Sequence, residues 1–128
     1  MKYFTPAEAS NTLPLVSKIV KDILLAGQKI RHILQGSSTD SSSPNQAEYE
    51  LESLFQELSS IGCEYKDWNY EIGLIDFPAI IDGQKVYLCW RSDEPKLLYY
   101  HGVYEGYAGR KLIPKHLLEN KDAESNIS

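Results

Sequence analysis

The chain has 128 residues, 42% of them apolar and 24% charged, with a net charge of −5. Those values describe one globular domain over residues 1–128, large enough to bury a core, and exclude a disordered or collagen-like chain. The acidic balance argues against nucleic-acid partners, which are held by clustered Lys and Arg.

No apolar run approaches the roughly 20 residues of a membrane span. The polar start Met-Lys-Tyr-Phe-Thr-Pro carries no secretory core, so a cytoplasmic protein off the membrane is expected. Two cysteines, Cys63 and Cys89, fit a reducing compartment better than a disulfide framework.

Thr5-Pro6-Ala7-Glu8 reads as a capping box with Pro at the first helical position. Pro14 lacks the N–H a continuous helix would use, so a break near Asn11-Thr12 is expected, with a restart capped by Thr12. Beyond it Leu13, Val16, Val20, Ile23, Gly27, Ile30 and Leu34 step by threes and fours. Leu15, Ile19, Leu24 and Ile33 widen that seam into a stripe with apolar surface to spare. Gly27 in the seam invites the close approach of a neighbouring backbone.

Residues 36–44, GSSTDSSSP, contain no apolar side chain and read as a flexible loop. Asn45 to Ile61 reads as a second helix, capped by Asn45 and ended by Gly62 in a left-handed conformation. Its stripe of Ala47, Leu51, Leu54, Leu58 and Ile61 matches that of the first helix. Lys18, Lys21, Lys29 and Arg31 on one helix meet Glu48, Glu50, Glu52 and Glu57 on the other, which predicts an antiparallel helical hairpin over 5–61.

Residues 62–113 form a β cassette. Ile75–Ile81 and Gln84–Arg91 flank Asp82-Gly83, a strong two-residue hairpin signal. That turn sets Ile81 opposite Gln84, Ala79 opposite Val86, Phe77 opposite Leu88 and Ile75 opposite Trp90 on an apolar, helix-facing side. Asp76, Pro78, Ile80, Lys85, Tyr87, Cys89 and Arg91 then share the other side. Pro78 marks an edge at its position. A third strand is expected over Leu97–His101, a loop from Gly102, and a frayed polar tail over 115–128.

Asp76 and Cys89 are thereby cross-strand neighbours. If Leu97 pairs with Arg91, His101 joins them; a slip of one residue sends His101 to the apolar side. Carboxylate, thiolate and imidazole are zinc-type ligands, although no tight metal-binding spacing is present. The structural alternative makes Cys89 a small buried hydrophobe and pairs Asp76 with Arg91 across the hairpin. A catalytic cysteine fits less well, because a mid-strand thiol has no free backbone donors beside it. Gly106 to Arg110 offers either backbone N–H groups and a guanidinium for an anion, or a turn whose Arg110 pairs with Glu94 or Asp76. His32 and His116 read as surface residues. The many tyrosines suit either an interface or ordinary packing.

The chain resembles an uncharacterised bacterial group, domain-of-unknown-function family 2203. The likeness lies in Tyr3-Phe4-Thr5, Glu8-Ala9, Leu13-Pro14, Gly73 to Ala79, Val86 to Arg91, Glu94-Pro95, Tyr100-His101 and Gly106 to Arg110. Asp93 stands where the family pattern has Gly, so that turn is expected to differ. The resemblance implies a small cytoplasmic bacterial protein with a helical first half and a β-type second half. It carries no activity, and it singles out Asp76, Cys89, Arg91, Glu94, His101 and Arg110.

The expected fold is α+β: a long N-terminal antiparallel helical hairpin packed on a three-stranded antiparallel β-meander. The favoured function is a non-enzymatic interaction or assembly protein, a homodimer through the first helix. The alternative is a metal-binding protein or metal-dependent hydrolase holding a divalent ion such as zinc on Asp76, Glu94 and His101, with Cys89 as a further ligand.

Overall fold

The computed structural model describes residues 2–36, 44–67 and 69–119. It is an α+β fold: helix α1 (Pro6–Leu34), helix α2 (Pro44–Ile61), strands β1 (Glu64–Tyr65), β2 (Leu74–Ile81), β3 (Gln84–Arg91), β4 (Tyr99–Gly102) and β5 (Lys111–Leu112), and a short helix α3 (Lys115–Glu119). A single 3-10 turn, Tyr107–Gly109, separates β4 from β5. No helix among the described residues is long and apolar enough to cross a membrane.

The start of α1 follows the sequence signal. The Glu8 amide donates to Thr5 Oγ1 at 3.0 Å, and the Thr5 amide donates to Glu8 Oε1 at 2.9 Å. The expected break at Pro14 does not occur, and α1 runs through it without interruption. A proline inside a helix costs about 3 kcal/mol. Leu13, Val16, Val20 and Ile23 are buried from a continuous helix, and each contributes about 1.5–3 kcal/mol. Four such side chains outweigh one missing hydrogen bond. Thr12 does not cap a restart; its hydroxyl donates back to the Glu8 carbonyl at 2.8 Å.

Helix α2 begins at Pro44, so Asn45 lies inside its first turn rather than at its cap. The fixed φ of proline suits the opening position of a helix. Gly62, with φ of +108°, ends it as expected, its amide bonding the Leu58 carbonyl at 3.0 Å. Of the loop expected over 36–44, residues 37–43 lie outside the described residues. Helix α2 packs on α1 through Leu51 and Leu58, which share one core with Val16, Val20 and Ile23.

The sheet has five strands in the order β1-β2-β3-β4-β5, each pairing antiparallel with the next, where three strands were expected. The two outer strands are two residues long, too short to show an alternating pattern. The central hairpin has the expected register, Asp76 opposite Cys89 and Ile81 opposite Gln84. Asp82 and Gly83 both have positive φ, 52° and 76°, the conformation that matches the twist of the flanking strands.

Pro78 belongs to a pair that does not hydrogen-bond across the hairpin, so its missing N–H faces the β1 side. There the Phe4 amide donates to the Pro78 carbonyl at 2.7 Å, and Phe4 extends the sheet edge beside Ala79. The third strand begins at Tyr99 rather than Leu97 and ends at Gly102. Leu97 is nonetheless buried. The expected frayed tail is helical over Lys115–Glu119, where Leu117 and Leu118 pack against the core. Residues 120–128 lie outside the described residues.

The core sits between α1 and one face of the sheet. Ile75, Phe77, Ala79, Val86, Leu88 and Trp90 fill that face, and all are buried. The opposite face carries the polar side chains.

Candidate functional site

The register of β4 decides the site. Tyr99 pairs with Cys89 and His101 with Tyr87, so His101 lies on the same face as Cys89 and Asp76. Three adjacent strands thus deliver a carboxylate, a thiol and an imidazole to one place. All three residues are buried, at 5% exposure for Asp76, 2% for Cys89 and 6% for His101. Their ligand atoms lie within 4.8 Å of one another.

His101 Nε2 stands 3.1 Å from Asp76 Oδ1 and 3.2 Å from Oδ2. Its Nδ1 stands 2.9 Å from the Gly102 carbonyl. A carbonyl only accepts, so Nδ1 carries hydrogen and the tautomer follows. One further proton must then lie between Nε2 and the carboxylate for that contact to be a hydrogen bond. Without that proton, two lone pairs would face each other, which is the arrangement a cation relieves.

Burial pushes the Asp76 carboxyl above its usual range, opposed by the neighbouring His101. The Cys89 thiol is pushed up to about 12, by burial first and then by the Asp76 charge. A thiol so held is no nucleophile in the absence of a cation. Cys89 sits in mid-strand, paired on one side with β2 and on the other with β4, so its backbone is committed to the sheet.

The trio forms the floor of a cleft of about 330 Å³ whose walls include Lys66, Leu74, Tyr87, Val103, Glu105 and Tyr107. The segment after β4 makes one wall. Its conformation is fixed by Glu105, which accepts from the Gly102 amide at 3.0 Å.

Glu94 does not join the trio. Both its carboxylate oxygens accept from Arg110 Nη2, at 2.6 and 2.8 Å, and Oε1 also accepts from the Arg91 amide. A carboxylate so fully engaged is a structural clamp on the turn after β3. Arg110 lies between the rings of Tyr99 and Tyr107, at 4.0 and 4.7 Å from their centroids. Its Nη2 also donates to the Cys89 carbonyl at 3.3 Å, so the clamp reaches the strand that bears the thiol. The Gly109 and Arg110 amides are spent on local carbonyls and the Arg110 guanidinium on Glu94, the arrangement of the turn reading of that loop.

Arg91 does not pair with Asp76. It donates to both oxygens of Asp93 and, at 2.6 Å, to the Tyr107 hydroxyl. Two residues along a turn are closer to hand than a residue across the hairpin. Asp93 has a use here that glycine would not supply. His32 and His116 are exposed, far from the trio in sequence. Lys66, which walls the cleft, carried no sequence signal, because loop closure alone brings it there; Tyr107 lay within the Gly106 to Arg110 stretch but was not tied to the trio.

The family model described as uncharacterized conserved protein (DUF2203) matches residues 2–113. The chain belongs to that family. The matched span takes in every strand, the trio and the Glu94–Arg110 clamp. No curated protein and no solved structure gives a match.

Proposed function

We propose that this member of the DUF2203 family binds a divalent transition-metal ion of the zinc class through Asp76, Cys89 and His101, with one coordination position left toward the cleft. The observation that carries the reading is the convergence of three donor atoms within 4.8 Å on three adjacent strands. Zinc bonds to such ligands run at about 2.0–2.3 Å, so an ion between two of them bridges about 4 Å. Small side-chain shifts complete the set. The His101 Nδ1–H held by Gly102 leaves Nε2 to the ion, the second-shell arrangement that metal-bound histidines require. Three protein ligands and an open fourth position are the pattern of catalytic zinc, where the ion polarises a bound molecule or lowers the pKa of water. Glu94 supports this site only by holding Arg110 and the Cys89 strand.

The test is equilibrium dialysis of untagged protein against zinc, followed by elemental analysis, with the visible spectrum of the cobalt(II) form as a second readout. One equivalent per chain is expected, lost in Asp76→Asn, Cys89→Ser and His101→Gln and kept in His116→Gln. Wild-type protein that retains no stoichiometric zinc or cobalt overturns the reading.

A second reading rests on α1. Leu25 and Tyr49 flank the open groove between α1 and α2 and are 59% and 75% exposed. They favour an assembly role as a homodimer through the first helix, paired as a helical hairpin with α2. A strict monomer by light scattering at micromolar concentration removes it. Both readings suit a cytoplasmic bacterial protein, since two buried free thiols fit a reducing compartment.

A further inference from the structure

The walls of the cleft point to what would occupy the open position, and this step rests on the metal reading above. The floor is polar, but the walls are Leu74, Tyr87, Val103 and Tyr107, with Lys66 and Glu105 as the charged members. Glu105 is already engaged, by the Gly102 amide and by Lys111 at 3.7 Å. Among the described residues Lys66 pairs with Glu64 at 3.9 Å, between two half-exposed side chains, and its charge is felt by Asp76 on the cleft floor. Such a pair is worth little, so the ammonium is free to turn inward.

The charges of the loaded site can be counted. A divalent ion with one thiolate, one carboxylate and a neutral imidazole sums to zero. With the Glu105 carboxylate offset by Lys111 and the Gly102 amide, Lys66 is the cation of the rim that can turn onto an occupant. An occupant with a single negative charge balances it, and an apolar body matches the four hydrophobic walls. The cleft volume, about 330 Å³, is near the low end of small-molecule sites, which run from about 300 to 1,000 Å³.

We propose that the cleft binds a small carboxylic acid with an apolar or aromatic body. Its carboxylate completes the coordination of the ion, and Lys66 steadies the charge from the rim. The apolar body packs between Tyr87 and Tyr107. A dianionic phosphate is the poorer match, because it leaves a net negative charge in a cleft with one lysine.

Cobalt-loaded full-length protein titrated with benzoate, benzamide and inorganic phosphate tests this by the visible spectrum and by calorimetry. Benzoate is expected to shift the cobalt bands, and benzamide and phosphate to bind at least about ten-fold more weakly. Lys66→Met should weaken benzoate by about ten-fold, equivalent to about 1.4 kcal/mol, measured on variant protein shown to carry one equivalent of cobalt. If cobalt binds but benzoate leaves the spectrum unmoved, or phosphate binds as tightly as benzoate, the proposal fails and the metal reading stands. The same holds if Lys66→Met binds benzoate like wild type. If no cobalt or zinc binds, both fall together.

Discussion

The ring of Tyr70 lies across the backbone of Gly27, so close that a Cβ at residue 27 would stand 2.2 Å from the ring's Cγ. Tyr70 itself has a positive φ of 59°, a conformation uncommon for a bulky residue. Its carbonyl accepts from Gln28 at 2.9 Å. The glycine in the α1 seam therefore admits a side chain, where the sequence suggested a neighbouring backbone. This contact pins the connection between β1 and β2 to the helix.

Gly27→Ala should destabilise the protein by about 1–3 kcal/mol, since overpacking outweighs the ~1 kcal/mol gained in helix propensity. Tyr70→Ala in the same chain should recover most of that loss, because the ring is what the methyl group meets. Urea unfolding of both single variants and the double variant measures the coupling. Additive effects would show that the clash is relieved elsewhere.

Pro14 is exposed and sits inside an unbroken helix. Pro14→Ala restores an N–H toward the Ser10 carbonyl without touching the core. The expected result is a gain of about 1–3 kcal/mol in unfolding free energy with an unchanged sheet. A loss of stability would mean that the proline sets a bend on which the packing of α1 depends.

The Glu94–Arg110 clamp is largely buried, with side-chain exposures of 16% and 10%. Removing either partner alone leaves the other without its counter-charge, so Arg110→Ala should cost about 2–4 kcal/mol. The double change Glu94→Ala with Arg110→Ala should cost less than the sum of the two, with a coupling of about 1 kcal/mol or more. Because Arg110 also bonds the Cys89 carbonyl, its loss should loosen the Asp76, Cys89 and His101 trio as well. Zinc affinity of Arg110→Ala, measured by dialysis, is then expected to fall below that of wild type.

Alkaline stability follows from the two thiols. Cys63 and Cys89 are each raised from 9.0 to about 12, chiefly by burial. A folded-state value above the unfolded one means that the folded protein holds its proton more tightly. The stability this confers is complete below pH 9 and is lost as pH rises toward 12. The urea midpoint of metal-free protein should therefore fall steadily across that window. Cys89→Ala should flatten the fall, since an alanine has no proton to lose. A midpoint independent of pH between 9 and 11 would contradict the burial of these groups.

Much of the framework was legible in the chain itself. Thr5, Pro6 and Glu8 act within one helical turn, and Asp82-Gly83 acts within one reverse turn. Such signals involve neighbours in sequence and need no knowledge of the rest of the fold. The hairpin turn alone fixed the pairing of Asp76 with Cys89, because strand periodicity leaves no freedom once the closing residues are known. Two-residue strands such as β1 and β5 carry no periodicity and exist only because a longer strand offers them hydrogen bonds.

What lay beyond the sequence was decided by contacts between distant segments. Pro14 stays in a helix because the sheet buries the side chains on both sides of it. His101 reaches Asp76 through the register of β4, which the turn after β3 left open and which the Glu94–Arg110 clamp now holds across sixteen residues. The sequence determined which groups are present and which strand face two of them occupy. Only the packed structure brought the third within bonding distance, because loop closure and burial are properties of the whole chain rather than of any stretch of it.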